Sequence, residues 1–420
     1  MNTGGFQKPP LLQTAKIQTT FCSAAPQACL SQLFMLFLDS VFIALDFIFY
    51  LSSALFYLLI ACVLVQVLYE FYYFLPLAFH KEQQEINPSA LPPLSILVAA
   101  HNEVENLQEL LPLLIQQQYP QALEIIVIDD RSWDGSHVLV KEYEMEHPHV
   151  RLLRVEETPP LMSPKKYALF LGIKAAQHEH LLLTDADCRP LSNQWAQQMA
   201  NGFLDGKDIV LGVSPYMQIY GFLNHLIRFE TFLTAMQYLS FAKQGQAYMG
   251  VGRNLAYTKS TFLRNKGFSS HIRSLGGDDD LFVQEAAKNS AVQIVIDQGA
   301  QTSSTPETRW RDWWRQKRRH LAAGRQYQKK DQFRLGLFVL SNGLFYVISP
   351  VLLGLQYQLL WVGLIIGVRY AALYGTYLPV ARRLREPLAW WLLPALELGY
   401  YLNYIGIGIS VLTTKKVRWK

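Results

Sequence analysis

Residues 180–188 read HLLLTDADC. An uninterrupted apolar run ends in two carboxylates, Asp185 and Asp187, two positions apart. A strand with no polar alternation is buried on both faces, as strands are inside a parallel sheet covered by helices. Two carboxylates facing each other across a short gap repel, by about 4 kcal/mol at 4 Å for an effective dielectric near 20. A fold sustains that when a cation is present, and oxygen donors select Mg²⁺ or Mn²⁺. The competing reading is a solvated aspartate turn closing a strand.

Working outward, the same pattern recurs in LSILVAA, LEIIVIDD and VRLLRV, each separated from the next by an amphipathic helical stretch. The alternation predicts an α/β fold with a mostly parallel, Rossmann-like sheet over residues 92–308. In open parallel sheets ligands bind at the carboxyl ends of the strands. Asp129 and Asp130 fall at such an end, in IVIDDRSWDGS, where a carboxylate accepts the N–H of a base or a ribose hydroxyl. Asn102 and Glu103 follow the first strand at the same rim. Lys165 and Lys166 open a helix in SPKKYAL, where cations oppose the macrodipole; a phosphate bound there accounts for them, and solvated lysines are the alternative. In LGGDDDLF three aspartates, Asp278, Asp279 and Asp280, enter a short helix. One suffices for capping. Repulsion among three raises at least one pKa, which suits a general base.

Half of the 420 residues are hydrophobic and only 17% are charged, against about 25% in globular domains. The deficit lies at the two ends, so a soluble centre sits between membrane segments. Residues 47–69 carry no charge and are long enough for one bilayer crossing, and the FYYF cluster follows as an aromatic belt, giving a span over 47–79. Residues 1–46 form an extension whose apolar part is either interfacial or a further span, since Asp39 costs about 2.5–3.5 kcal/mol at a helix centre. No basic stretch and cleavage site mark a signal peptide. Residues 335–412 read as about three spans with a turn at GLQYQ and the RRLRE loop inside, followed by a basic tail at 413–420. Between them, residues 309–330 form an amphipathic interfacial helix, RWRDWWRQKRRHLAAG, with Gln316, Arg319 and His320 as neighbours on one side. Its alternating Trp and Arg suit a membrane surface or an anionic ligand, not nucleic acid. The four cysteines show neither metal spacing nor a disulfide framework, in keeping with a reducing compartment.

Taken together, AAHNE, IVIDDRSWDGS, SPKKYAL, TDADC, GVGRNLAY, GGDDDL and QKRRH resemble, in this order, the membrane-bound family 2 inverting glycosyltransferases of GT-A fold. That group includes ceramide glucosyltransferases and poly-N-acetylglucosamine synthases. The resemblance implies that Asn102, Glu103, Asp129, Asp130 and Lys165 hold the nucleotide. It implies that Asp185 and Asp187 bind the metal and that Asp278 is the base, with a one-residue shift to Asp279 open because Gly277 replaces a glutamate. Gln316 and Arg319 would meet the donor diphosphate, and His320 replaces the tryptophan on which processive synthases stack their acceptor. Arg253 and Asn254 match the acceptor-side loop. The implied activity is metal-dependent transfer, with inversion, of a sugar from a nucleotide-sugar donor, UDP-linked, to a lipid-linked or membrane-associated glycan acceptor. The expected setting is a bacterial inner or plasma membrane, with the catalytic domain cytoplasmic. Rival readings are a processive polysaccharide synthase and a catalytically inactive membrane scaffold. A nucleotidyltransferase would need a Gly/Arg-rich loop after the first strand, and VAAHNEVEN has neither residue.

Overall fold

Neighbouring residues of the central strands serve two different cores, which is why those strands show no polar alternation. The computed structural model describes residues 26–81, 86–160, 162–274 and 276–413, with side chains left aside at 26–33, 319–323 and 411–413. The start of the N-terminal extension, the tail beyond 413 and the side chains of Arg319 and His320 lie outside the described residues. The strands are β1 (Leu94–Ala100), β2 (Leu123–Asp130), β3 (Val150–Val155), β4 (His180–Asp185), β5 (Cys188–Pro190), β6 (Ile209–Leu211), β7 (Leu255–Thr258), β8 (Val292–Ile294) and β9 (Thr302–Ser304). Seven of them form one sheet in the order β3-β2-β1-β4-β7-β6-β8, and β5 pairs with β9 apart from it. The first four in that order are parallel, and β7 runs antiparallel to β4 and β6. The mostly parallel expectation therefore holds, with a single reversed strand inserted.

Along β1, Leu97 joins one core while Ile96 and Val98 join the other. The helices that cover the sheet are α3 (Val104–Ile115), α4 (Ser136–Glu146), α5 (Pro164–Ala175), α6 (Trp195–Asn201), α7 (Phe222–Lys243), α8 (Lys259–Arg264) and α9 (Asp280–Ala286), after α1 (Pro26–Leu68) and α2 (Leu75–Ala78). Contact is close: a Cβ on Gly172 of α5 would lie 2.6 Å from Ile128 Cδ1 of β2. The register aligns the strand ends, with Ala99 opposite Asp185 and Ala100 opposite Asp129. One rim of the sheet thus receives the turns after β1, β2 and β4.

Beyond the sheet come α10 (Trp310–Gly324), α11 (Lys329–Gly354), α12 (Leu359–Arg383) and α13 (Leu393–Thr413). By contacts the chain divides into Met1–Leu55 and Phe56–Lys420. The described residues of the first unit are helical. Among the described residues, three helical stretches are long and apolar enough to cross a membrane: Phe34–Ala78, Lys329–Gly354 and Leu359–Arg383. The chain reverses between the last two at residues 355–358, where Gln356 and Gln358 adopt positive φ.

A buried polar cluster joins the helices. Arg369 of α12 donates from Nε to Gln66 Oε1 at 3.0 Å and from Nη2 to Asn342 Oδ1 at 2.9 Å, and it pairs with Glu397 of α13. Arg369 and Glu397 are almost wholly buried, so each neutralises a charge that the surroundings would otherwise reject. Arg369→Leu strands Glu397 and should destabilise the fold by about 3–5 kcal/mol. A thermal melt in detergent checks this, and the double change Arg369→Leu/Glu397→Leu should recover most of the loss.

Candidate active site

Lys165 owes its position to the first turn of α5, which Pro164 starts with a preset φ. Two carboxylates meet this cation. Lys165 Nζ lies 2.8 Å from Asp185 Oδ1 at the end of β4 and 3.3 Å from Asp278 Oδ2 in the Gly-Gly loop. Burial works against its charge, but Asp185 and Asp278 outweigh that and hold the ammonium well above the usual lysine range. Lys166, on the next position, points elsewhere. It is buried and donates to the His271 carbonyl at 2.5 Å and to Ser274 Oγ at 2.6 Å, clamping the segment that leads into the aspartates. Burial pushes its amine down to about 8.

Gly277 has φ +95°, and a Cβ there would lie 2.4 Å from Leu281 Cδ1, so the turn needs glycine. The three aspartates then differ in their bonding. Asp278 faces Lys165, which holds its carboxyl below the usual range against the opposing effect of burial. Asp279 caps α9, accepting from Asp280 N at 2.8 Å with one oxygen and from Gly252 N at 2.8 Å with the other. Burial, then the charges of Asp278 and Asp280, push its carboxyl up to about 7. Asp280 accepts the Tyr327 hydroxyl at 2.7 Å and the Leu281 amide at 2.7 Å.

These groups line one cavity of about 890 Å³ together with Asp185, Asp187 and Arg253. The Asp187 carboxyl is raised by burial and by Asp185, with Arg253 opposing. Arg253 lies over the Tyr216 ring at 4.4 Å and donates to Ser304 Oγ at 2.6 Å. Gln316 of α10 reaches the same tyrosine, Nε2 to hydroxyl at 3.4 Å. The cavity continues past Glu230, which Lys317 meets at 2.8 Å and the Tyr404 hydroxyl at 2.8 Å, to Leu335, Val339 and Gly408 on the apolar helices. Tyr327, Glu230 and Tyr404 are absent from the sequence-based site, because their partners are distant in the chain and no local pattern marks them.

Asn102, Glu103, Asp129 and Asp130 stand farther along the rim, outside this cavity lining. Asn102, at φ 56°, accepts the Trp133 amide at 3.0 Å, and Glu103 accepts Asn106 Nδ2 at 2.6 Å. Asp134 ties both turns together by accepting Val104 N and Ser136 N, each at 2.9 Å. The Glu103 carboxyl is raised by burial, with Asp187 and Asp185 adding to it. Asp130 pairs with Arg131 at 2.8 Å. Asp129 is fully buried with Arg154 Nε 3.8 Å away, and neither of its oxygens accepts a hydrogen bond. A buried acceptor without a donor at a strand end suits a ligand N–H. Asn254 is placed in the core: it donates to the Val213 and Ala300 carbonyls, both at 2.8 Å, and accepts Trp195 Nε1 at 3.0 Å.

Among the described residues no three His, Cys, Asp or Glu side chains form a metal cage. Asp185 and Asp187 supply two carboxylates on the cavity wall. That donor set fits Mg²⁺ or Mn²⁺ of the kind that completes its shell with substrate phosphate oxygens and water.

A mostly parallel sheet with one reversed strand, carrying acidic residues at the ends of β2 and β4, is an architecture of GT-A type. The model for Glycosyl transferase family group 2 matches residues 180–404, more than half of the chain, and that for Glycosyl transferase family 2 matches residues 95–264. The chain belongs to family 2 of the glycosyltransferases. It is similar to the probable glycosyltransferase YdaM of Bacillus subtilis, 27% identical over 57% of this chain and 57% of that one. It also resembles the poly-beta-1,6-N-acetyl-D-glucosamine synthase of Staphylococcus epidermidis, 33% identical over 22% of this chain and 21% of the relative. The chain thus spans little more than half the length of the first relative. Among solved structures, the mannosyltransferase PcManGT from Pyrobaculum calidifontis, in complex with GDP-Man and Mn²⁺, superposes with a TM-score of 0.54 at 19% identity, covering 87% of this chain and all of that one. That likeness establishes the fold.

Asn254→Ala orphans the Ala300 carbonyl and the Trp195 indole N–H, each at about 1–3 kcal/mol, and leaves the Val213 carbonyl to the Thr302 amide. Calorimetry should show a lower unfolding midpoint, while the donor affinity of the folded fraction stays unchanged; a loss confined to affinity would return Asn254 to the binding surface.

Proposed function

We propose that the protein transfers a sugar from a nucleotide-sugar donor, UDP-linked, to a lipid-linked or membrane-associated acceptor, with inversion at the anomeric carbon. One observation carries this reading. Lys165, Asp185, Asp187, Asp278 and Asp279 line a single cavity that continues to α11, a helix apolar enough to cross a membrane. The expected setting is a bacterial inner or plasma membrane with the catalytic domain on the cytoplasmic side.

Asp129 accepts a base N–H with its unpaired oxygens, and Asn102, Glu103 and Asp130 complete the nucleoside end. Asp185 and Asp187 would hold Mg²⁺ or Mn²⁺, whose charge would offset that of the donor diphosphate and its departing oxygen. Lys165, Gln316 and Arg319 assist at the diphosphate, and Arg253 and His320 serve the acceptor. Asp279 takes the proton of the acceptor hydroxyl as that oxygen bonds to the anomeric carbon and the bond to the diphosphate breaks. Lys165 keeps Asp278 occupied and ionised, whereas Asp279 is half ionised near neutral pH and is the stronger base.

A second reading, repeated transfer onto a growing glycan, is favoured by the similarity to the poly-N-acetylglucosamine synthase. Product length, read by mass spectrometry, separates it from single transfer.

Asp279→Asn should bind donor normally and lose transfer by about 10²–10⁴-fold, the usual weight of a positioned base. Retained turnover would move the base to Asp278. Below about pH 7 Asp279 carries a proton and cannot accept another, so kcat/KM should rise through about pH 7. Asp280→Asn removes one charge that raises the Asp279 carboxyl, so this acid limb should move to lower pH. Asp187→Ala should abolish the Mn²⁺-dependent part of UDP affinity in a calorimetric titration; unchanged affinity would remove Asp187 from the metal.

A further inference from the structure

A second cavity, of about 600 Å³, opens on the other side of α10 and is lined by Trp310, Arg311, Trp314, Arg315, Arg318 and Asn403. Arg311, Arg315 and Arg318 recur at i, i+4 and i+7, so three guanidiniums stack on one face. Asp312 meets one of them, Arg315, at 3.5 Å. Arg318 Nε is buried and has no hydrogen-bond partner among the described residues. Three neighbouring cations at one cleft lower its energy by taking up an anion, and guanidinium forks match phosphate oxygens.

The surroundings decide which anion. Trp314 donates from Nε1 to Asn403 Oδ1 at 3.1 Å, fixing α10 against α13. Elsewhere on α13, roughly 100–160° around the helix from Asn403, Leu398, Leu402 and Ile405 are exposed as one helical stripe. Trp310 is half exposed at the mouth. A cationic cleft with indoles at its edge, on a helix pair that also exposes apolar side chains, has the layout of the headgroup boundary of a bilayer. A free phosphate would satisfy the arginines and leave those apolar side chains uncovered.

We propose that the cleft between α10 and α13 binds the phosphate of an anionic phospholipid, with the indoles of Trp310 and Trp314 at the headgroup boundary. The site is separate from the sugar-transfer cavity, which Gln316 and Lys317 enter from the same helix. It does not depend on which donor or acceptor is used.

The test uses the full chain in phosphatidylcholine vesicles containing an equal fraction of either brominated phosphatidylglycerol or brominated phosphatidylcholine. The readout is bromine quenching of Trp314, taken as the difference between the wild type and Trp314→Phe. The anionic lipid should quench more strongly, with roughly a five-fold change in relative affinity for each arginine removed. The triple variant Arg311→Gln/Arg315→Gln/Arg318→Gln should lose this preference, and the corresponding triple lysine variant should keep most of it, which separates charge from folding. Equal quenching by the two lipids in the wild type overturns the proposal. So does a preference that survives in the glutamine variant. Displacement by millimolar inorganic phosphate would assign the cleft to a soluble anion and overturn the lipid assignment.

Discussion

The ammonium of Lys165, lodged between Asp185 and Asp278, is the contact on which the site depends. It joins a carboxylate fixed by the central strand β4 to one carried by a loop almost a hundred residues later. Without a cation at that point, the acids of the TDAD turn and those of the GGDDD turn would repel across the cavity, and the loop would have no electrostatic reason to close on the sheet. Lys166 holds the same loop from behind through backbone and hydroxyl acceptors. Two adjacent lysines therefore place three aspartates, one by charge and one by hydrogen bonds.

That placement sets a division of labour. Lys165 holds Asp278 ionised; burial raises the Asp280 carboxyl against the bonds from Tyr327 and the Leu281 amide; burial and then the charges of both neighbours push Asp279 up to about 7. Identical side chains at consecutive positions thus acquire different acidities from their neighbours, which is how a turn of three aspartates differs chemically from a helix cap.

Much of this was legible in the chain itself. Continuous Val, Ile and Leu runs identified β1, β2 and β4 because both faces of each are buried, and the acids after them fell on the rim because parallel strands end together. The three- and four-residue strands β6, β7 and β8 were not legible, since so short a run carries no period, and with them went the reversal beside β4. Lys165 opposes the helix dipole, which the sequence shows, but its carboxylate partners lie 20 and 113 positions away, a relation that only the fold creates. Asn254 shows the opposite error. A polar residue in a glycine-rich loop next to an arginine reads as a ligand contact, yet its three hydrogen bonds are spent on the core. Nothing local distinguishes the two cases.

The helix Trp310–Gly324 turns one flank to the carboxylate cavity and the other to the arginine cleft. At 3.6 residues per turn, the two flanks are separated by about a half-roll of a single rod roughly 10 Å thick. Such a rod cannot tilt on one side and stay still on the other. Whatever fixes its outer flank also fixes the height and angle at which Gln316 meets Tyr216, so the medium outside the protein becomes one of the walls of its reaction chamber.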